Sequence, residues 1–139
     1  MDMKILVVGG GGREHAIIKK LKENQTVETI FALPGNGGMA KDAVCVPIGA
    51  TDIDKIVAFA LENKVDYAVV APDDPLALGA VDALTAAGIP CFGPDARAAV
   101  IESSKAFAKD LMKKYGIPTA RYETFSDPES ACAYLETCS

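Results

Sequence analysis

The four consecutive glycines Gly9, Gly10, Gly11 and Gly12, followed by Arg13, lie between an apolar run and the start of a helix. Glycines there let the backbone approach a ligand closely, and the unpaired N–H groups and positive end of the helix attract an anion. Arginine is disfavoured by the dipole in a first helical turn, so Arg13 points to a bidentate clamp on a phosphate rather than to helix stability. A second glycine cluster, Leu33-Pro34-Gly35-Asn36-Gly37-Gly38, suits a loop that lies against a ligand, with a plain turn as the other reading. In Ala71-Pro72-Asp73-Asp74-Pro75 a carboxylate is available to a sugar hydroxyl or an amine. One of the two aspartates is expected to cap a helix ahead of Pro75 and the other to face the ligand. Lys105, near the start of a later helix, is out of place for the dipole and suits a phosphate contact, although alone it would be an ordinary surface lysine. His15, the single histidine, is expected to have a structural role.

The type of phosphate is narrowed by elimination. A dinucleotide fingerprint would put glycine where Glu14 stands and an acid at the end of the second strand, where the sequence has Phe31-Ala32-Leu33. No Gly-Lys-Ser/Thr follows the glycines, so the Walker pattern is missing too. Cys45, Cys91, Cys132 and Cys138 form no C-x-x-C pair, and with one histidine they make a zinc or redox site an unfavoured reading.

The elements that must position these residues follow from periodicity. Lys4 to Val8 is an unbroken apolar strand of the kind buried on both faces. Ala16, Ile17, Ile18 and Leu21 mark the inner side of the helix after it. Val27 to Phe31 and Ala43 to Val46 read as strands, and Asp52 opens a helix with Ile53, Ile56, Val57, Ala60 and Leu61 on one face. Asp66 to Val70 is a fourth strand. Ala77, Ala80, Val81, Leu84 and Ala87 mark one helix closed by Gly88, and Ile89 to Phe92 is a fifth strand. Strands alternating with helices predict an α/β doubly wound parallel sheet, with ligands beyond the carboxyl ends of the strands.

The pattern breaks from Gly93-Pro94 to Glu102, and a boundary is placed so that residues 1–102 form one domain and 103–139 the start of another. Beyond it a helix carries Phe107, Ala108, Leu111, Met112 and Tyr115 on one face, Arg121 to Phe125 reads as a strand, and Asp127-Pro128-Glu129 starts a further helix. These residues are too few for a second core, which suggests a piece of a longer protein.

The whole chain has 139 residues, half of them hydrophobic (50%), and 14 basic against 19 acidic residues for a net charge of −5. No basic patch suited to nucleic acid is visible. No stretch is long and apolar enough for a membrane span and no signal-peptide core is present, which makes a cytoplasmic setting the default. The sequon Asn24-Gln25-Thr26 is taken as chance.

Five segments carry a close resemblance to a known family: Val7 to Ala16, Pro34 to Gly38, Pro72 to Leu76, Cys91 to Pro94 and Ser104 to Asp110. In order and spacing they resemble the phosphoribosylamine–glycine ligases, also called glycinamide ribonucleotide synthetases, of the ATP-grasp superfamily. The resemblance implies a Rossmann-like N-terminal domain followed by the first helices of the ATP-grasp domain. It also implies ATP-dependent joining of glycine to 5-phosphoribosylamine through a glycyl phosphate, in de novo purine synthesis, with magnesium. By position, Gly9 to Gly12 with Arg13 would hold the sugar phosphate, with Asn36, Gly37 and Gly38 beside it. Asp73, where the family usually has glutamate, would meet the ribose hydroxyls or the amine, and Lys105 would point at the nucleotide phosphates. Ala71 and Ser103 stand where glycine is usual. The nucleotide lid and magnesium carboxylates of the family lie past the position of Ser139, so the chain as given is expected not to catalyse the ligation. Its partners would be small molecules, with neither nucleic acid nor membrane, and the resemblance leaves open whether the longer protein is monomeric or fused to other domains. Other ATP-grasp ligases and carboxylases, a nicotinamide-dependent oxidoreductase and a non-catalytic sugar-phosphate-binding module are the competing readings.

Overall fold

The computed structural model describes residues 3–138 and divides between Ser103 and Ser104 into two compact units. In the first unit, strands β1 (Met3–Gly9), β2 (Val27–Pro34), β3 (Val44–Cys45), β4 (Tyr67–Val70) and β5 (Cys91–Phe92) form one parallel sheet in the order β3-β2-β1-β4-β5. The helices are α1 (Gly12–Leu21), α2 (Ile53–Glu62), α3 (Asp73–Ala77), α4 (Ala80–Ala86) and α5 (Ala96–Ser103), with a short 3-10 turn at Met39–Lys41. This is the doubly wound α/β order, with the topological switch beside β1.

The central strand explains why its sequence is an apolar run. Leu6, Val7 and Val8 are fully buried. Because successive side chains point to opposite faces, Leu6 and Val8 join Ile56, Ala60 and Leu84 on one side of the sheet, while Ile5 and Val7 join Ile18, Ile30 and Met39 on the other. Two cores therefore clamp the strand that ends in the glycine loop. Each large aliphatic side chain buried this way contributes about 1.5–3 kcal/mol.

Local departures from the sequence reading have physical causes. On α1 the inner positions are Glu14 and Ile18, whereas Ala16 is exposed. Asp52 occupies the cap position of α2, but its carboxylate takes Lys55 Nζ at 2.6 Å instead of a backbone N–H. The helix expected from Ala77 to Ala87 is two helices, because Gly79 turns the chain with φ 82°; Ala77 falls on the exposed side. Its C-terminal glycine behaves as expected, since Gly88 has φ 84° and the Ile89 N–H reaches back to the Leu84 carbonyl at 3.0 Å. The stretch before Glu102, which breaks the sequence pattern, is α5.

The second unit consists of α6 (Lys105–Lys114) and α7 (Pro128–Glu136) with the segment between them. Ser104 caps α6 through Phe107 N–H at 3.3 Å, and Asp127 caps α7 through Ser130 N–H at 2.8 Å, with Pro128 in the first turn. Neither helix has a buried residue; Phe107, Tyr115 and Leu135 are all exposed. Arg121 to Phe125 is not a strand, because the described residues around it offer no sheet edge to complete its backbone hydrogen bonds. Polar contacts tie the chain from Thr119 to Tyr122 to α6 instead: Lys109 Nζ donates to Thr119 Oγ1 at 2.6 Å and the Ala120 carbonyl at 3.2 Å, and Tyr122 donates to Asp110 at 2.7 Å.

Candidate functional site

The two glycine loops meet at the carboxyl ends of neighbouring strands. Gly9 pairs in register with Pro34, and the Gly35 N–H donates to the Gly9 carbonyl at 3.2 Å. Asn36 fastens the loops together: its Nδ2 donates to the Gly10 carbonyl at 2.9 Å, and its Oδ1 accepts from the N–H groups of Gly38 at 2.8 Å and Met39 at 3.0 Å. The side chain expected beside a ligand thus shapes the loop that would lie against it.

The glycines differ in what requires them. A Cβ at Gly10 would lie 2.8 Å from the Gly35 carbonyl oxygen, so the close approach of the two loops needs glycine. Gly9, with φ 127°, is buried, and a Cβ there would strike Glu14 and Pro72. At Gly12 and Gly37 a Cβ would meet nothing within 4 Å, which leaves open space beside the start of α1 and on the second loop. Gly38 packs near the His15 ring.

Glu14, in sequence only a failed dinucleotide position, shapes the candidate site by holding Gly11 and Arg13. It is the one buried charged side chain among the described residues, at 3% exposure. Its Oε2 accepts the Gly11 N–H at 2.8 Å and its Oε1 accepts Arg13 Nε at 2.9 Å. Gly11 has no side chain to cap α1, so Glu14 satisfies one of the unpaired N–H groups and anchors the arginine as well. The spacing of glycine and a glutamate three residues on, at a helix start, was the available signal. Arg13 keeps its two terminal nitrogens free of hydrogen bonds among the described residues. Hydrogen bonding to Glu14 raises its pKa, with Glu102 and Asp73 adding to the effect.

Beside Arg13 lies a cavity of about 580 Å³ at the ends of β4 and β5. Ile17, Ala71, Leu76 and Phe92 give it an apolar floor, and Arg13 and Glu102 are its charged lining. Asp73 is exposed in the first turn of α3 and is not among the lining residues. Neither Asp73 nor Asp74 caps that helix with its side chain, contrary to the sequence expectation; Pro72 occupies the cap position and both acids fall within the first turn, where they suit the dipole.

His15 has a carboxylate partner. Its Nε2 lies 3.1 Å from Asp42 Oδ2, and Asp42 also takes Lys22 at 2.9 Å and Lys19 at 3.4 Å. Hydrogen bonds from Lys22 and His15 hold the Asp42 carboxyl well below the usual carboxylate range. In the second unit Lys105 is exposed and lines a shallow pocket of about 230 Å³ with Lys109 and Tyr122. Among the described residues no group of three or more His, Cys, Asp or Glu side chains is placed to hold a metal ion. No described helix is long and apolar enough to cross a membrane.

Comparison with known proteins decides the family. Residues 3–102 match the phosphoribosylglycinamide synthetase N domain, and residues 103–139 match the ATP-grasp (A) domain of the same synthetase. The chain belongs to the phosphoribosylglycinamide synthetase family. Among curated relatives of this synthetase, the chain is similar to the phosphoribosylamine–glycine ligase of Caldanaerobacter subterraneus subsp. tengcongensis, at 48% identity over 96% of this chain and 32% of the relative. It is similar also to that of Streptococcus pneumoniae serotype 4, at 53% identity with the same coverage. The chain therefore spans about a third of the length of the synthetases that it matches. Among solved structures, the phosphoribosylamine–glycine ligase of Thermotoga maritima aligns with 99% of this chain and 31% of its own, at TM-score 0.68 and 28% identity. The biotin carboxylase domain of the Hydrogenobacter thermophilus 2-oxoglutarate carboxylase shares the fold, at TM-score 0.74 and 20% identity over all of this chain and 33% of its own.

Proposed function

We propose that this chain is the N-terminal part of a cytoplasmic enzyme that joins glycine to 5-phosphoribosylamine at the expense of ATP, giving glycinamide ribonucleotide, ADP and phosphate. In that enzyme residues 1–102 would bind the sugar phosphate, and residues 103–139 would open the ATP-binding domain. The observation that carries the reading is the loop pair at the end of β1: open space at Gly12, the free guanidinium nitrogens of Arg13 and the adjoining cavity, in a chain of this family.

In the proposed reaction the N–H groups at the start of α1 and the Arg13 guanidinium receive the phosphate of the sugar. Asn36, Gly37 and Gly38 set the second wall, and Asp73 accepts from ribose hydroxyls at the site's margin. Glycyl phosphate, formed from glycine and ATP, is the acyl donor for the sugar's amine. Lys105 is suited to the nucleotide phosphates, because it is exposed and among the described residues forms no ion pair. Magnesium would neutralise charge on the nucleotide. The described residues offer no ligand cluster for it. The substrates are small molecules, and neither nucleic acid nor membrane is part of the proposal.

ADP release by the longer protein that contains this chain tests the reading, with ATP, magnesium and glycine, and with phosphoribosylamine formed in place from ribose 5-phosphate and ammonia. Release that requires both glycine and the sugar is expected. Release without glycine would assign the chain to a different ATP-grasp reaction, and absence of release would leave only a binding module.

A further inference from the structure

Arg13 and Glu102 are each misplaced for their own helix and share one cavity. Arg13 lies in the first turn of α1, where the dipole disfavours a cation, and Glu102 lies in the last turn of α5, where it disfavours an anion. Both line the cavity at the ends of β4 and β5. They do not neutralise each other by contact. The ion pair of Arg13 is with Glu14, and among the described residues Glu102 has no ion-pair partner within 4.0 Å. The remaining lining is largely apolar, with Ile17, Ala71, Leu76 and Phe92 offering little competing polarity.

A cavity lined by a cation whose terminal nitrogens carry no hydrogen bond and by an exposed anion without an ion-pair partner, among the described residues, fits a ligand that presents acceptors to one end and N–H donors to the other. We propose that Glu102 is a positioning residue of the sugar site: its carboxylate accepts a hydrogen bond from the amine of the ribosylamine, while Arg13 holds the phosphate end. This inference rests on the ligase reading above and adds to it the residue that orients the reacting end of the sugar, since a carboxylate there takes a donor and the anomeric hydroxyl of ribose 5-phosphate would meet it as the amine does. Accepting from the amine leaves the nitrogen lone pair directed away from the carboxylate and available to the acyl donor. Asp73, outside the cavity lining, is left to the ribose hydroxyls.

The test uses Glu102→Gln and Glu102→Asp in the longer protein. Two numbers are read for each variant: KM for phosphoribosylamine, and the inhibition constant of 1,4-anhydroribitol 5-phosphate, which has hydrogen in place of the amine and so no donor at that position. Loss of a charge-assisted hydrogen bond predicts a rise in the KM for phosphoribosylamine of about tenfold or more in Glu102→Gln. The inhibition constant of the sugar without a donor and the KM for glycine are expected to change less than twofold, with partial recovery in Glu102→Asp. An equal rise in both sugar constants would overturn the proposal in favour of general damage to the cavity, and an unchanged KM would overturn it outright. A wild-type protein without glycine-dependent ADP release would instead refute the ligase reading, so the two failures are distinguishable.

Discussion

The side-chain amide of Asn36 donates to the carbonyl oxygen of Gly10 at 2.9 Å, across the gap between two loops that follow neighbouring parallel strands. With its oxygen accepting from Gly38 and Met39, one exposed residue joins the first loop to the second. Asn36→Ala is expected to lower stability by about 1–2 kcal/mol, because three hydrogen bonds are lost at a site that water can reach. Sugar-phosphate affinity should fall further than stability does, as the loops lose their register. Urea unfolding alongside ribose 5-phosphate titration checks both.

Gly10 and Gly12 should respond oppositely to the same added methyl group. Gly10→Ala puts a Cβ 2.8 Å from the Gly35 carbonyl oxygen and is expected to destabilise by about 1–3 kcal/mol. Gly12→Ala meets nothing within 4 Å and, at the start of α1, should be neutral or stabilising by about 0.5 kcal/mol. Its cost is expected in ligand affinity alone. Melting temperatures and phosphate-ester binding for the two variants separate packing from recognition.

Glu14→Gln retains an acceptor for the Gly11 N–H but removes the charge that anchors Arg13. A loss of about 1–3 kcal/mol is expected, with a larger loss for Glu14→Ala, which leaves the Gly11 N–H without its partner. Denaturant midpoints with unchanged m-values would show that the fold survives while the anchor is gone.

The Asp42 cluster predicts a pH signature. Its folded pKa lies below the ordinary 3.8, through hydrogen bonds from Lys22 and His15 with Lys19 nearby. A depressed carboxylate pKa gives stability that is complete well above 3.8 and declines as pH falls below it towards the folded value. Asp42→Asn should therefore be less stable than wild type at neutral pH, with the difference shrinking by about pH 3. Urea titrations at several pH values check the convergence; a gap that stays constant would contradict the assignment.

The legible parts of the sequence were those where local pattern and tertiary demand agree. Lys4 to Val8 reads as a doubly buried strand because both sheet faces are covered, and Gly88 reads as a helix end because its left-handed conformation is observed. Arg121 to Phe125 misled because its strand-forming composition has no partner edge among the described residues. The helix from Ala96 to Ser103 was hidden because only Ala99 among its residues is buried, so its inward face writes little periodicity. At the site, the glycines and Arg13 were visible by type and spacing. The service of Asn36 to the loops was not, since an amide bonded to backbone leaves no mark on its neighbours in sequence. Glu102 looked like the end of an irregular stretch, and only the return of α5 to the β4 and β5 ends brings it beside Arg13.

The strand order has a bearing on how the chain is made. β1 is synthesised first yet sits in the middle of the sheet, and both of its neighbours come later. One edge is covered once Val27–Pro34 has emerged from the ribosome, but the other pairs with Tyr67–Val70 and must wait for it. During that interval an apolar strand with an open edge is present on every nascent chain, the condition under which strands join the wrong partner. Slowing translation between the codons of β2 and β4 should therefore increase aggregation and chaperone dependence, whereas slowing it after β4 should not.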